Sequence, residues 1–228
     1  MTAVAGGVGE QLRIRTLQPG DAPASAGMHL EVLSMEFLAR LGPRFLTAYH
    51  RAWIRSPAGL ALGAEDGSGR LVGVLLGGLD PAAHYGWVLR RSGPGLALRL
   101  AGVAVAHPVL ARDLIATRAV RYARALWLHL VDRPARPGAV AAPATPAPQR
   151  VGEITHLMVG SDGQGRGVGR ALVREAEERA RAARLARLVL VTPPTLAARG
   201  FYAHLGWVED GTLTSRSGEE FIRFRRDL

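Results

Sequence analysis

VGEITHLMVGSDGQGRGVGR, residues Val151 to Arg170, is the stretch from which this chain can be read. Ile154 to Val159 is a short, mostly apolar run that suits a buried strand. Ser161 to Gly169 is a run of small and flexible residues, with Arg166 and Arg170 set against the glycines. From Val168 the apolar positions Val168, Leu172, Ala176, Ala180 and Ala183 recur at helical spacing, which predicts a helix beginning near Gly167. A strand feeding a glycine loop and a helix N-terminus turns several free backbone N–H groups to one point. The helix dipole adds partial positive charge there, so the point favours phosphate.

The kind of phosphate site follows by elimination. A dinucleotide fingerprint needs G-x-G-x-x-G, and Gly163, Gly165, Gly167 and Gly169 do not fit it. A P-loop needs a lysine after its last glycine, and the chain contains no lysine. What fits is Gln164-x-x-Gly167-x-Gly169. In this it resembles the GNAT N-acetyltransferase superfamily, where the motif follows the fourth strand and binds the pyrophosphate of acetyl-coenzyme A. A second match lies downstream, where Ala198 to Trp207 fits the family pattern A-x-x-x-Y-x-x-x-G-[FW] through Tyr202 and Gly206.

Working outward, Leu12 to Gln18 alternates as a half-buried strand should, and Asp21 stands where it can cap the next helix. Helices are expected from about Ala22 to Leu38 and from about Arg44 to Arg55, the second with Phe45, Leu46, Tyr49 and Trp53 on one face. Gly59 to Ala64 and Leu71 to Leu79 read as two strands of a hairpin. Downstream of the glycine loop, Arg187 to Thr192 reads as a buried strand, Leu196 to Leu205 as a short helix, and Trp207 to Leu213 with Glu219 to Arg226 as a last strand pair. The order resembles a GNAT domain: an α/β (α+β) fold with a central mixed, twisted sheet of about seven strands flanked by helices.

One segment departs from that order. Residues 81–132 read as a helical insertion between strands 3 and 4, with short helices at Tyr85 to Arg91 and Leu96 to Val105 around a break at Ser92 to Gly95, then a longer helix at Val109 to Val131. Residues 133–150 are rich in proline and alanine and read as a flexible linker. The whole of 1–228 is then a single domain. The insertion suits a lid over an acceptor pocket, a face meeting a membrane or lipid-linked acceptor, or simply a cover for the core.

Composition narrows the function classes. Hydrophobic residues make up 48% and charged residues 21%, which are globular values. With no cysteine there is no disulfide, thiolate nucleophile or Cys-ligated zinc. The net charge of +10 comes entirely from arginine, spread along the chain rather than clustered with aromatics, so nucleic acid is not the expected partner. No apolar run is long enough to span a bilayer and no signal peptide is evident, so a cytoplasmic protein is the expectation. There is no G-x-S-x-G elbow, no lysine for a Schiff base and no pair of histidines at metal-ligand spacing. No metal is expected.

The resemblance implies roles residue by residue. Leu157, Met158 and Val159 would bind the pantetheine arm through their backbone, where the fourth and fifth strands of the family splay apart. Gln164, Gly165, Arg166, Gly167, Val168, Gly169 and Arg170 would hold the pyrophosphate, the arginines by charge-assisted bonds. Tyr202 would protonate the departing thiolate, since a phenol stays protonated at neutral pH. Glu153 matches the place of a glutamate base. His156 is a second candidate, on the opposite face if the strand alternates regularly. Thr195 stands where the family often has an asparagine, and Ala198 opens the next helix of the coenzyme A site.

These expectations make the chain an acetyl-CoA-dependent N-acetyltransferase of a small amine. The alternatives are an acyltransferase acting on a protein N-terminus or lipid-linked sugar, and a coenzyme A-binding module without catalysis. Relatives are commonly dimers. Peripheral membrane contact rests only on the insertion.

Overall fold

The computed structural model describes residues 12–107, 150–194, 197–214 and 218–228. The helix expected at Val109 to Val131, the 133–150 linker up to Gln149, and Thr195 lie outside them. Seven strands form one mixed sheet: β1 (Arg13–Thr16), β2 (Gly59–Glu65), β3 (Leu71–Gly78), β4 (Val151–Val159), β5 (Arg187–Thr192), β6 (Val208–Thr214) and β7 (Glu220–Asp227). Their order across the sheet is β1-β2-β3-β4-β5-β7-β6, and β4–β5 is the parallel pair among antiparallel neighbours.

The helices are α1 (Ala22–Val32), α2 (Pro43–Arg55), α3 (Pro81–Ala106), α4 (Val168–Ala182) and α5 (Ala198–His204). β2 and β3 are nearly continuous apolar runs because both their faces are covered. On one face Leu60, Leu62 and Leu75 pack with Val168, Leu172 and Ala176 of α4; on the other Ala61, Val74 and Leu76 pack with Met28 of α1 and Trp53 of α2. Trp53 is 2% exposed, and its indole N–H donates to Gly77 O at 2.7 Å. Burying such a ring is worth several kcal/mol only because its polar atom finds that acceptor, on the order of 25 cal/mol per Å².

Three local expectations are corrected. The first helix stops at Val32 rather than Leu38, because Phe37 and Leu38 leave the helical path to pack on Leu41 and Phe45. Asp21 stands at the N-cap of α1 but makes no capping bond; its carboxylate takes a bidentate contact from Arg15 (2.7 and 3.0 Å) and a bond from Gln18 N–H. The charged fork outcompetes a neutral amide, and it holds the Asp21 carboxyl below its ordinary pKa.

The third correction concerns the insertion. In place of two short helices, Pro81–Ala106 is one helix of 26 residues with Pro94 inside it. A proline there costs about 3 kcal/mol. Leu96, Leu100 and Val103 offset this by packing on Leu41 and Phe45, so tertiary burial overrides the local break signal. The Asp80 side chain caps the helix by accepting from Ala83 N–H. No helix among the described residues is long and apolar enough to cross a membrane.

Candidate active site

β4 and β5 are paired only from Val151↔Arg187 to Ile154↔Leu190, although β4 continues to Val159 and β5 to Thr192. Beyond that point the sheet is split. Gly160 N–H donates to Val72 O at 3.1 Å, so along β4 the alternate residues Met158 and His156 turn their backbone groups to β3. Leu157 and Val159 therefore turn theirs to the split, while Met158, expected to share that role, has its backbone groups committed to β3. The Met158 side chain is fully buried, whereas those of Leu157 and Val159 are half-buried against the α4 side.

At the end of the split lies the glycine loop. Ser161–Gly163 forms a single 3-10 turn, and Gly165 and Gly167 have φ of +72° and +78°. Gly167 is the N-cap of α4, and an L residue in that left-handed conformation is strained. A Cβ at either glycine would meet nothing within 4 Å, so both face open space. The first helical bond runs from Ala171 N–H to Gly167 O, which leaves the N–H groups of Val168, Gly169 and Arg170 without an intrahelical acceptor. Gln164 Nε2 donates a long bond, 3.5 Å, to Val159 O, and Arg166 folds over the loop to donate to Asp162 O at 3.1 Å. Gln164, Arg166 and Arg170 are exposed. An open ring of N–H groups at a helix start fits a diphosphate.

The other face of β4 carries the candidate base. Leu76 pairs with His156 and Gly77 with Ile154, so Thr155 is an extra residue in a β-bulge. A Cβ on Gly77 would sit 2.3 Å from Glu153 O, so only glycine allows this approach. Regular alternation would put Glu153 and His156 on opposite faces; the extra residue puts both on the α1–α2 face. Tyr85 of α3 donates to Glu153 Oε1 at 2.6 Å, and the Tyr85 and His156 rings each stand 5.9 Å from the Trp53 ring. Burial raises the Glu153 pKa, partly countered by the Tyr85 bond. A carboxylate so placed has a stronger affinity for a proton than one in water.

Tyr202 lies on α5 with its ring in the core, 6% exposed and against Trp207 and Phe224. Burial pushes its phenol further above the ordinary value, so it is fully protonated at neutral pH. Its neighbour Phe201 was not singled out from the sequence. The Phe201 ring packs beside Gly169 and comes within 3.3 Å of where a Cβ there would lie, at the junction of cradle and split. Ala198 is half-buried at the start of α5.

Sequence spacing also missed a histidine cluster under the α1–α2 face. His29, His50, His84 and His156 are all buried. Burial, aided by His29 and His156, pushes His50 down to about 3, and burial pushes His84 and His156 down to about 4. Neither ring nitrogen of His84 has a hydrogen-bond partner among the described residues. Its pKa falls from 6.5 unfolded to about 4 folded, so above pH 6.5 it costs nothing, and as pH drops below 6.5 the unfolded state gains the proton first. Stability is lost over that window. His84→Leu, which keeps the apolar contact with Trp53, is expected to flatten the acid slope. Urea midpoints at neutral and mildly acidic pH check this.

Comparison with known proteins bears on the fold and the family. The model of the acetyltransferase (GNAT) family matches residues 29–207. No curated protein matches the chain in sequence. Among solved structures, a spermidine N-acetyltransferase SpeG chimera from Vibrio cholerae and hSSAT aligns with TM-score 0.58 and 15% identity, covering 95% of each chain. The ribosomal-protein-S18-alanine N-acetyltransferase of Escherichia coli aligns with TM-score 0.54 and 12% identity over 95% of this chain and 94% of that one. The PaiA N-acetyltransferase of Thermoplasma acidophilum, solved in complex with coenzyme A, aligns with TM-score 0.51 and 12% identity over 96% and 99%. At such identities the likeness shows the fold, while the family match shows the kind of enzyme. This chain belongs to the GNAT family of acetyltransferases.

Proposed function

We propose that the enzyme transfers an acetyl group from acetyl-CoA to the primary amine of a small molecule, with Glu153 as base and Tyr202 as acid. The observation that carries this reading is the half-buried Glu153 held by the Tyr85 hydroxyl, on the strand that borders the split. Acetyl-CoA brings an acyl thioester, ready for attack by an amine. Its diphosphate suits the N–H groups of Val168, Gly169 and Arg170, with Arg166 and Arg170 adding positive charge. The N–H groups of Leu157 and Val159 would hold the arm and polarise a carbonyl oxygen.

A primary amine arrives as ammonium, since its pKa is about 10. The exposed ring of Tyr85 favours the cation, and Glu153, its pKa raised, takes the proton that must leave before attack. The Tyr202 phenol then supplies a proton to the sulfur. A small acceptor is favoured because α3 packs on α2 and sets Tyr85 across the α1–α2 face, which narrows the approach.

The reading is tested by following thiol release from acetyl-CoA with a panel of small amines and of short peptides. A small amine should turn over and the peptides should not; turnover of peptides alone would move the assignment to a protein acceptor. Tyr202→Phe should lower kcat by about 10²-fold or more while leaving acetyl-CoA affinity within a few-fold. An unchanged kcat would make Tyr202 a packing residue only.

A further inference from the structure

Three side chains from distant parts of the chain converge beneath the α1–α2 face. His29 lies on α1, Glu36 in the turn after it, and His156 on β4; each offers one ligand atom, and the three atoms lie within 4.8 Å of one another. Glu36 Oε2 stands 3.5 Å from His29 Nε2 and 3.7 Å from His156 Nε2. These separations are long for hydrogen bonds. They are close to the separation of ligand atoms sharing one ion, since bonds of about 2.0–2.2 Å at tetrahedral angles put neighbouring ligands about 3.3–3.6 Å apart.

A second observation points the same way. His29 Nε2 is buried, on a side chain with no exposure, and it has no hydrogen-bond partner. Unmet polar atoms in a buried place are costly unless something fills the gap. Behind His29 stands a buried relay: His29 Nδ1 is 3.1 Å from His50 Nε2, and His50 Nδ1 is 2.7 Å from Ser25 Oγ. With His29 Nδ1–H donating to His50 and His50 Nδ1–H donating to Ser25, the free lone pair of His29 Nε2 faces Glu36. Metal-bound imidazoles are oriented by such a bond from the other ring nitrogen. The Glu36 side chain is 42% exposed, which opens the cluster to solvent.

We propose that His29, Glu36 and His156 form a binding site for one divalent first-row transition cation of the zinc type, with water completing its coordination. Two imidazoles and one carboxylate suit that class, whereas magnesium and calcium prefer all-oxygen sites. The site ties α1 and the turn after it to β4, beside Trp53 and the acceptor face. Sequence reading excluded it because 127 residues separate the two histidines, a distance that only the fold closes.

The test uses the full-length, tag-free protein, stripped with chelator and titrated with Zn2+ by calorimetry and with Co2+ by visible absorption. One ion per chain is expected, with the intense d–d bands of low-coordinate Co2+ and no heat from Mg2+. Glu36→Gln should weaken Zn2+ binding by at least about tenfold and abolish the bands, with circular dichroism unchanged. Because Glu36 is partly exposed, this variant decides the matter even if His156→Gln fails to fold. His204→Gln, an exposed histidine of α5, should bind as wild type does. Binding below one ion per chain, or equal binding by wild type and Glu36→Gln, overturns the proposal.

Discussion

Gly167→Glu is expected to abolish acetyl-CoA binding while leaving the protein folded. Gly167 has φ +78° at the N-cap of α4, and a Cβ there points into open space. Left-handed strain costs the fold about 1–2 kcal/mol, a loss that a domain of this size can absorb. The carboxylate, however, is placed where the diphosphate would lie, over the same N–H groups. At 100 times its Kd, acetyl-CoA should raise the stability of wild type by about 2.7 kcal/mol, or roughly 5–10 °C in Tm. The variant should show no shift at that concentration. Gly167→Ala separates the two effects, since it carries the strain without the charge and should keep most of the ligand response. Equal shifts in wild type and Gly167→Glu would remove the loop from the donor site.

Glu153→Gln is expected to lower kcat/KM by about 10²–10⁴-fold and to remove the acid limb of the pH profile. The reasoning runs from burial to proton affinity. The Glu153 carboxyl is raised above its ordinary value mainly by desolvation, with the Tyr85 bond working against the shift. A base with a raised pKa must lose its proton before it can accept one, so activity should rise with pH through that raised value.

The stability consequence has the opposite sign. A carboxyl with a raised folded pKa costs nothing below its unfolded value of 4.5, and it destabilises the fold as pH climbs through and above that value. Glu153→Gln removes the buried charge and retains an acceptor for Tyr85. At neutral pH the variant should therefore be at least as stable as wild type although it is nearly inactive. Tm and kcat/KM measured on one preparation give both halves of the test. A variant that is less stable but fully active would make Glu153 a structural anchor for α3.

The strand, glycine loop and helix start that are proposed to hold the donor were legible in the sequence because local rules govern them. Gln164 to Gly169 needs positive φ, small residues and a helix start, and each of these is written in a short window. β5 has the bounds expected from its apolar run, and β6 and β7 each begin and end one residue later than expected. Where reading failed, a distant contact had overridden a local preference. Pro94 did not break α3, because Leu96, Leu100 and Val103 found a surface on α2 and the turn before it. Asp21 did not cap α1, because Arg15 reached it first.

The acceptor half was decided by tertiary structure. Thr155 gives no sign in the sequence that it is an extra residue, since a bulge depends on how a partner strand registers against it. That one residue changes the face of every side chain after it, and so brings His156 to the side of Glu153 and beside His29. The sequence by itself determined a strand, a phosphate cradle and a helix, because hydrogen bonding within a few residues specifies them. Only the tertiary structure decided which side chains meet across the sheet, because those meetings depend on register and packing between segments far apart in the chain.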